Sequence, residues 1–151
     1  MGLIICIDQV TKLWVQANLV VGTQKHFFGW FWLTNHRHQG FALNLIQGLP
    51  PALQNLFFII VPVFALFLIV LIFIKLQDNQ MLTSLALTGI LGGAIGNMID
   101  RFESGPVLDV LEIRTNGFFN TPFNVADMAI IVGVCIVFIN TLVQQRAERQ
   151  S

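Results

Sequence analysis

Asp109, in Pro106-Val-Leu-Asp-Val-Leu111, and Asp127, in Pro122-Phe-Asn-Val-Ala-Asp-Met-Ala-Ile-Ile131, are the residues of this chain best suited to chemistry. Each is embedded in apolar sequence, and an aspartate at the centre of a membrane-inserted helix costs roughly 2.5–3.5 kcal/mol. Two carboxylates brought near each other do not both ionise easily. They share a proton, and such a pair can activate water. The chemistry implied is that of an aspartic hydrolase working within or beside a membrane. Asn97 lies three residues before Asp100, and Asn124 three before Asp127, so each pair occupies one helix face and each asparagine can hydrogen-bond near its aspartate. Asp8, Lys12 and Arg101 fall at the same end of the predicted helices. Helix caps and interfacial ion pairs would explain one such residue, but four aspartates and two asparagines at a single level exceed that explanation.

His36 and His38 alternate and so share a strand face, but neither they nor His26 have a third ligand at suitable spacing, so no metal or other cofactor is expected. Cys6 and Cys135 lie in apolar runs and read as small buried hydrophobes.

The elements that must carry these residues are membrane helices. Hydrophobic residues make up 55% of the 151 and charged ones only 11%, against about 25% charged in a soluble domain. Net charge is zero and no basic run exists, which gives no sign of nucleic-acid binding. Four apolar segments predict helices over about 2–21, 56–74, 81–99 and 125–143, within one integral membrane domain spanning 1–151. Pro62 is tolerable inside the second because neighbouring helices can satisfy the freed carbonyl. Gly89, Gly92, Gly93 and Gly96 form two overlapping small-xxx-small pairs, read as a packing seam on the third helix. With seven residues ahead of Asp8, the first helix is expected to be short of a full span at its start.

Four spans put both termini on one side and two connections, about 22–55 and 100–123, on the other. The aromatic stretch Phe27–Thr34 predicts strand, hence a small antiparallel sheet at headgroup level, and Asn44–Leu56 a short interfacial helix. Asp109 then sits on a loop after the third helix. The fold class expected is membrane all-α with a small β element. Lys75, Arg146 and Arg149 lie on the tail side; Lys12, Lys25, Arg37, Arg101 and Arg114 lie on the loop side. The positive-inside rule taken literally would put the loops in the cytoplasm.

The strings Asp8-Gln-Val-Thr-Lys12, Gly92-Gly-Ala-Ile-Gly-Asn-Met-Ile-Asp-Arg101, Val107-Leu-Asp109 and Phe123-Asn-Val-Ala-Asp127 resemble the signature blocks of lipoprotein signal peptidase (signal peptidase II), in order along nearly the whole chain. The resemblance implies a four-helix aspartic endopeptidase of the bacterial inner membrane, with cytoplasmic termini and a site facing the periplasm. It implies as substrate a prolipoprotein whose cysteine carries diacylglycerol, cleaved before that cysteine. It also implies a catalytic dyad of Asp109 and Asp127, supported by Asn97, Asp100, Arg101 and Asn124 and stabilised from helix one by Asp8 and Lys12. Where the family usually shows asparagine–x–glycine–alanine–alanine–phenylalanine, this chain reads His38-Gln-Gly-Phe-Ala-Leu43. Gly40 and Ala42 match, and His38 stands where the pocket-lining asparagine would be. The expected partners are the signal peptide with its lipidated cysteine and the surrounding lipid, and four helices suffice for a monomer. The alternative is a small proton- or solute-translocating subunit using its carboxylates as a relay. Such a subunit would want a carboxylate near mid-span, and helices two to four are bare of charge between their ends. An assembly scaffold would rest on the glycine seam alone.

Overall fold

The computed structural model describes residues 1–38, 50–76, 80–115 and 119–149. In chain order its elements are α1 (Gly2–Asn18), β1 (Gln24–Phe28), β2 (Phe31–His38), α2 (Pro51–Ile74), α3 (Met81–Ser104), β3 (Val107–Thr115), β4 (Phe119–Phe123) and α4 (Val125–Glu148). All four predicted helices are present, with different ends. Apolar character marks where the lipid-compatible stretch stops, whereas the helix stops where the backbone can no longer continue. Thus α1 ends at Asn18 rather than near Val21, because Leu19 is already extended. The second helix starts at Pro51, not Leu56: proline fits the first helical turn, where its missing N–H is no loss. The third runs past Ile99 to Ser104, carrying Asp100 and Arg101, and gives way at Gly105, whose φ of 84° ends it. The fourth continues through Gln144–Glu148, good helix formers that need no apolar environment.

Asp109 is not on a loop. Residues 107–123 form the hairpin β3–β4, which joins β1 and β2 in one antiparallel sheet of order β1-β2-β3-β4. Asp109 lies on an inner strand whose first four residues are all buried. The stretch read as one strand over Phe27–Thr34 is divided by a two-residue turn at Gly29-Trp30, with Gly29 at φ 53°. The interfacial helix expected over Asn44–Leu56 falls partly on residues 44–49, outside the described residues; Pro51–Leu56 belong to α2.

One irregularity in the sheet matters for the site. Leu33 pairs with Leu111, but the next pairs are His36 with Asp109 and His38 with Val107, so β2 holds one extra residue at Thr34-Asn35. That bulge reverses the side-chain parity and puts His36 and His38 on the face that carries Asp109. It is anchored below by Asn35, whose Nδ2 donates to the Leu19 carbonyl at 2.7 Å and whose N–H bonds Thr23 at 3.1 Å.

α3 is the centre of the helical part. A Cβ added at Gly92 would meet Ile4 of α1 at 3.2 Å, one at Gly96 would meet the Asp8 carboxylate at 2.8 Å, and one at Gly93 would run into the Ala126 carbonyl of α4. The seam is therefore real, and Gly133 of α4 completes it against Ile90 at 2.5 Å. Most large apolar side chains point outward, among them Phe57, Phe64, Phe67, Ile131 and Phe138. Cys6 and Cys135 are likewise exposed, against expectation, because the outer surface of these helices is as apolar as a core. Met81–Ser104 and Val125–Ala147 are long and apolar enough to cross a membrane, and Ile59–Ile74 forms a shorter apolar run.

Candidate active site

The polar residues converge where the ends of α1, α3 and α4 meet the sheet. Asp127 is the third residue of α4, and Asn124 is the residue before that helix. The Asn124 Oδ1 accepts from the Asp127 N–H at 2.8 Å, and the Asp127 Oδ2 accepts from the Asn124 N–H at 3.3 Å, a reciprocal capping box. The Asp127 Oδ1 accepts from Asn97 Nδ2 at 2.8 Å. Asn124 Nδ2 donates both to Asn97 Oδ1 at 3.1 Å and to the Leu108 carbonyl at 3.2 Å, so one buried amide joins α3, α4 and the residue before Asp109.

A second network lies beneath. Lys12, 2% exposed, holds Asp8 at 2.7 Å and Asp100 at 2.8 Å, and reaches Asn97 Oδ1 at 3.4 Å. Each carboxylate then grips a backbone N–H that belongs to the site. Asp8 Oδ1 accepts from Ala126, next to Asp127, at 2.9 Å, and Asp100 Oδ2 accepts from Leu108, next to Asp109, at 3.0 Å. Gln9 Nε2 lies 3.1 Å from Asp8 Oδ2, from Asp100 Oδ1 and from the Gly96 carbonyl. Gly96 is small because the Asp8 carboxylate occupies the space a side chain would need.

Asp109 is fully buried. Its Oδ2 accepts from His38 Nδ1 at 2.6 Å, and its Oδ1 has no hydrogen-bond partner among the described residues. Burial pushes the Asp109 carboxyl up from the ordinary carboxylate range; the His38 hydrogen bond and charge oppose this, and the Asp127 charge adds to it. The His38 imidazole is raised above 6.5 by its bond to Asp109, against the effect of burial, with help from the Asp109 and Asp127 charges and opposition from Arg101. Arg101, partly buried on α3, is near enough for its charge to act on Asp127 as well.

Asp8, Lys12, Asn97, Asp100, Arg101, Asn124, Asp109 and Asp127 are thus brought together, while Gly40 lies outside the described residues. Two contributors escaped the sequence reading. Gln9 was legible only as part of the Asp8–Lys12 string, although its place beside Asp8 gave it access to the same neighbours. His38 was read as a replaced pocket residue, and only the strand register shows it on Asp109.

Residues 1–143 match the family model described as signal peptidase (SPase) II. The chain is 36% identical to a lipoprotein signal peptidase of Brevibacillus brevis, aligned over 98% of this chain and 95% of that one. It is 34% identical to one of Enterococcus faecalis over 99% and 89% of the two chains, and 33% identical to one of Bacillus pumilus over 97% and 92%. A solved bacterial membrane enzyme superposes with a TM-score of 0.83 at 28% identity, covering 95% of this chain and 85% of its own. With its ordered polar blocks folded into one site and its whole length shared with such relatives, the chain belongs to the signal peptidase II family.

Proposed function

We propose that this chain is an aspartic endopeptidase that removes the signal peptide from prolipoproteins, cutting before a diacylglyceryl-modified cysteine, with Asp109 and Asp127 as its dyad. The observation that carries the proposal is the setting of Asp109: a carboxylate with no exposure, one oxygen tied and the other buried without a partner among the described residues, close enough to Asp127 for the two charges to interact. A buried acceptor left open costs about 1–3 kcal/mol, a cost that has a purpose if a water or a substrate carbonyl fills the place.

One carboxylate, ionised, takes a proton from the water as it attacks the scissile carbonyl. The other, protonated, donates to the carbonyl oxygen, and a proton then passes to the leaving amine as the tetrahedral intermediate collapses. The dyad titrates as a unit. Asn97 and Asn124 orient Asp127; the Asp8–Lys12–Asp100 network holds the two backbone segments at a set separation; Arg101 supplies positive potential over the site. No cofactor is required.

α1–α4 act as four membrane spans of one domain, residues 1–151. Both termini are cytoplasmic, and the sheet lies on the periplasmic side with the aromatic tip Phe27, Phe28 and Trp30 at headgroup level. The enzyme works as a monomer among lipids, and the substrate's acyl chains stay in the bilayer beside the helices. Family membership leaves the translocating alternative without support.

The test is cleavage of a lipid-modified prolipoprotein by wild type, Asp109→Asn and Asp127→Asn. Each variant should lose about 10³-fold or more of kcat, within the range for removing a positioned acid or base. Near-full cleavage by either variant, shown to be folded, would sink the dyad.

A further inference from the structure

The His38–Asp109 pair ties a histidine of β2 to one of the two proposed catalytic carboxylates. It is short, 2.6 Å, and joins a fully buried carboxylate to a ring that keeps 34% of its surface. The bulge at Thr34-Asn35 is what makes it possible, since without the extra residue His38 would lie on the opposite face of the sheet from Asp109. Asp109 has no other hydrogen-bond partner among the described residues, so nothing else fixes its carboxylate plane. Asp127, by contrast, is gripped at both oxygens by Asn97 and the Asn124 backbone.

We propose that His38 is a positioning residue of the proteolytic site: its Nδ1–H holds Asp109 by Oδ2 and leaves Oδ1 as the oxygen that meets the reacting water. This rests on the reading of Asp109 and Asp127 as the dyad. His38 adds what that reading lacks, a reason for one rotamer of Asp109 and an assignment of its working atom. A protonated ring also sets a positive charge against the dyad. The charged and titratable groups around it are Asp109 on β3, Asp127 on α4, Arg101 on α3, and His36 and Arg37 on its own strand. The charge lowers the proton affinity of Asp109.

The chemistry of the side chains supplies a selective test. The amide nitrogen of asparagine occupies nearly the place of histidine Nδ1, whereas that of glutamine corresponds to Nε2. His38→Asn therefore keeps the donor and removes the charge; His38→Gln moves the donor; His38→Ala removes both. Each is purified in detergent, checked by thermal unfolding, and assayed on a lipid-modified prolipoprotein over pH beside Asp109→Asn and Asp127→Asn. His38→Ala should lose about 10- to 100-fold in kcat with KM little changed, the size of one hydrogen bond to a charged group. His38→Asn should stay within about threefold of wild type at its own optimum, well inside the roughly tenfold that 1.4 kcal/mol represents, while His38→Gln should not be rescued. In both His38→Asn and His38→Ala the two limbs of the kcat/KM profile should move to higher pH by roughly one unit, because a cation beside the carboxylates has gone. Wild-type kcat in His38→Ala, equal rescue by Gln and Asn, or an unmoved profile would each overturn the proposal. If instead Asp109→Asn stays active, it is the dyad that fails, and His38 loses its role with it.

Discussion

Lys12→Met is the substitution that tests how the site is held. The residue is 2% exposed, and its ammonium lies 2.7 Å from Asp8 and 2.8 Å from Asp100. Methionine keeps most of the stem volume, so the change is one of charge rather than packing. Removing one partner of a buried ion pair costs about 3–5 kcal/mol, because the remaining charge stays buried. Here one cation serves two carboxylates, but the costs do not simply double, because Gln9 Nε2 donates to both and keeps part of their hydrogen bonding. A loss of about 3–5 kcal/mol therefore stands, worth roughly 6–20 °C in Tm for a chain of this size. The damage is also local. Asp8 and Asp100 hold the N–H groups of Ala126 and Leu108, so a shift of either moves the backbone beside Asp127 or Asp109. A misplacement of about 1 Å in reacting groups can cost roughly 10²-fold, which sets the expected fall in kcat. Unfolding in detergent and prolipoprotein cleavage measure the two effects. The triple variant Asp8→Asn, Lys12→Met, Asp100→Asn removes every charge and should regain much of the Tm, since a neutral network carries no stranded ion. A Lys12→Met enzyme with wild-type Tm and kcat would refute the reasoning.

Two further outcomes follow from the packing around the site. Gly93→Ala should destabilise by about 1–3 kcal/mol and slow cleavage, because its Cβ meets the Ala126 carbonyl one residue from Asp127; Gly89→Ala, whose nearest neighbour is 3.7 Å away, should change the Tm little. The His38 pair also gives stability a pH dependence. Its folded pKa is raised above 6.5, so its contribution is fully present below 6.5 and is lost as pH rises through the folded value; Tm should fall in that window for wild type and much less for His38→Ala. Parallel slopes in the two proteins would remove the pair as the cause.

The helices were legible because long apolar runs over 56–74, 81–99 and 125–143, at such low charge content, exceed the length of a strand and suit a helix with apolar surroundings. Their ends were less so. The apolar run ends at Ile99, one residue short of Asp100 and Arg101, yet charge does not stop a helix, and α3 continues to Ser104. The hairpin holding Asp109 was missed for a related cause. A buried strand carrying two carboxylates, Asp109 and Glu112, has no clean alternation, and its pairing partner β2 lies about seventy residues earlier in the chain, as the Asp109–His38 separation of 71 shows.

By itself, the sequence determined which polar residues lie in apolar surroundings and at helical spacing. Asp109 and Asp127 in apolar surroundings, the asparagines three residues before Asp100 and Asp127, and the glycines of α3 are local facts of composition and spacing. Only tertiary structure decided who touches whom. That Lys12 serves both Asp8 and Asp100, that these carboxylates hold the N–H groups beside Asp109 and Asp127, and that a one-residue bulge turns His38 onto Asp109 all depend on helix packing and strand register. Register has a period of two residues and no local marker for a bulge, so one inserted residue changes the partner of the Asp109 carboxylate without changing the composition around it.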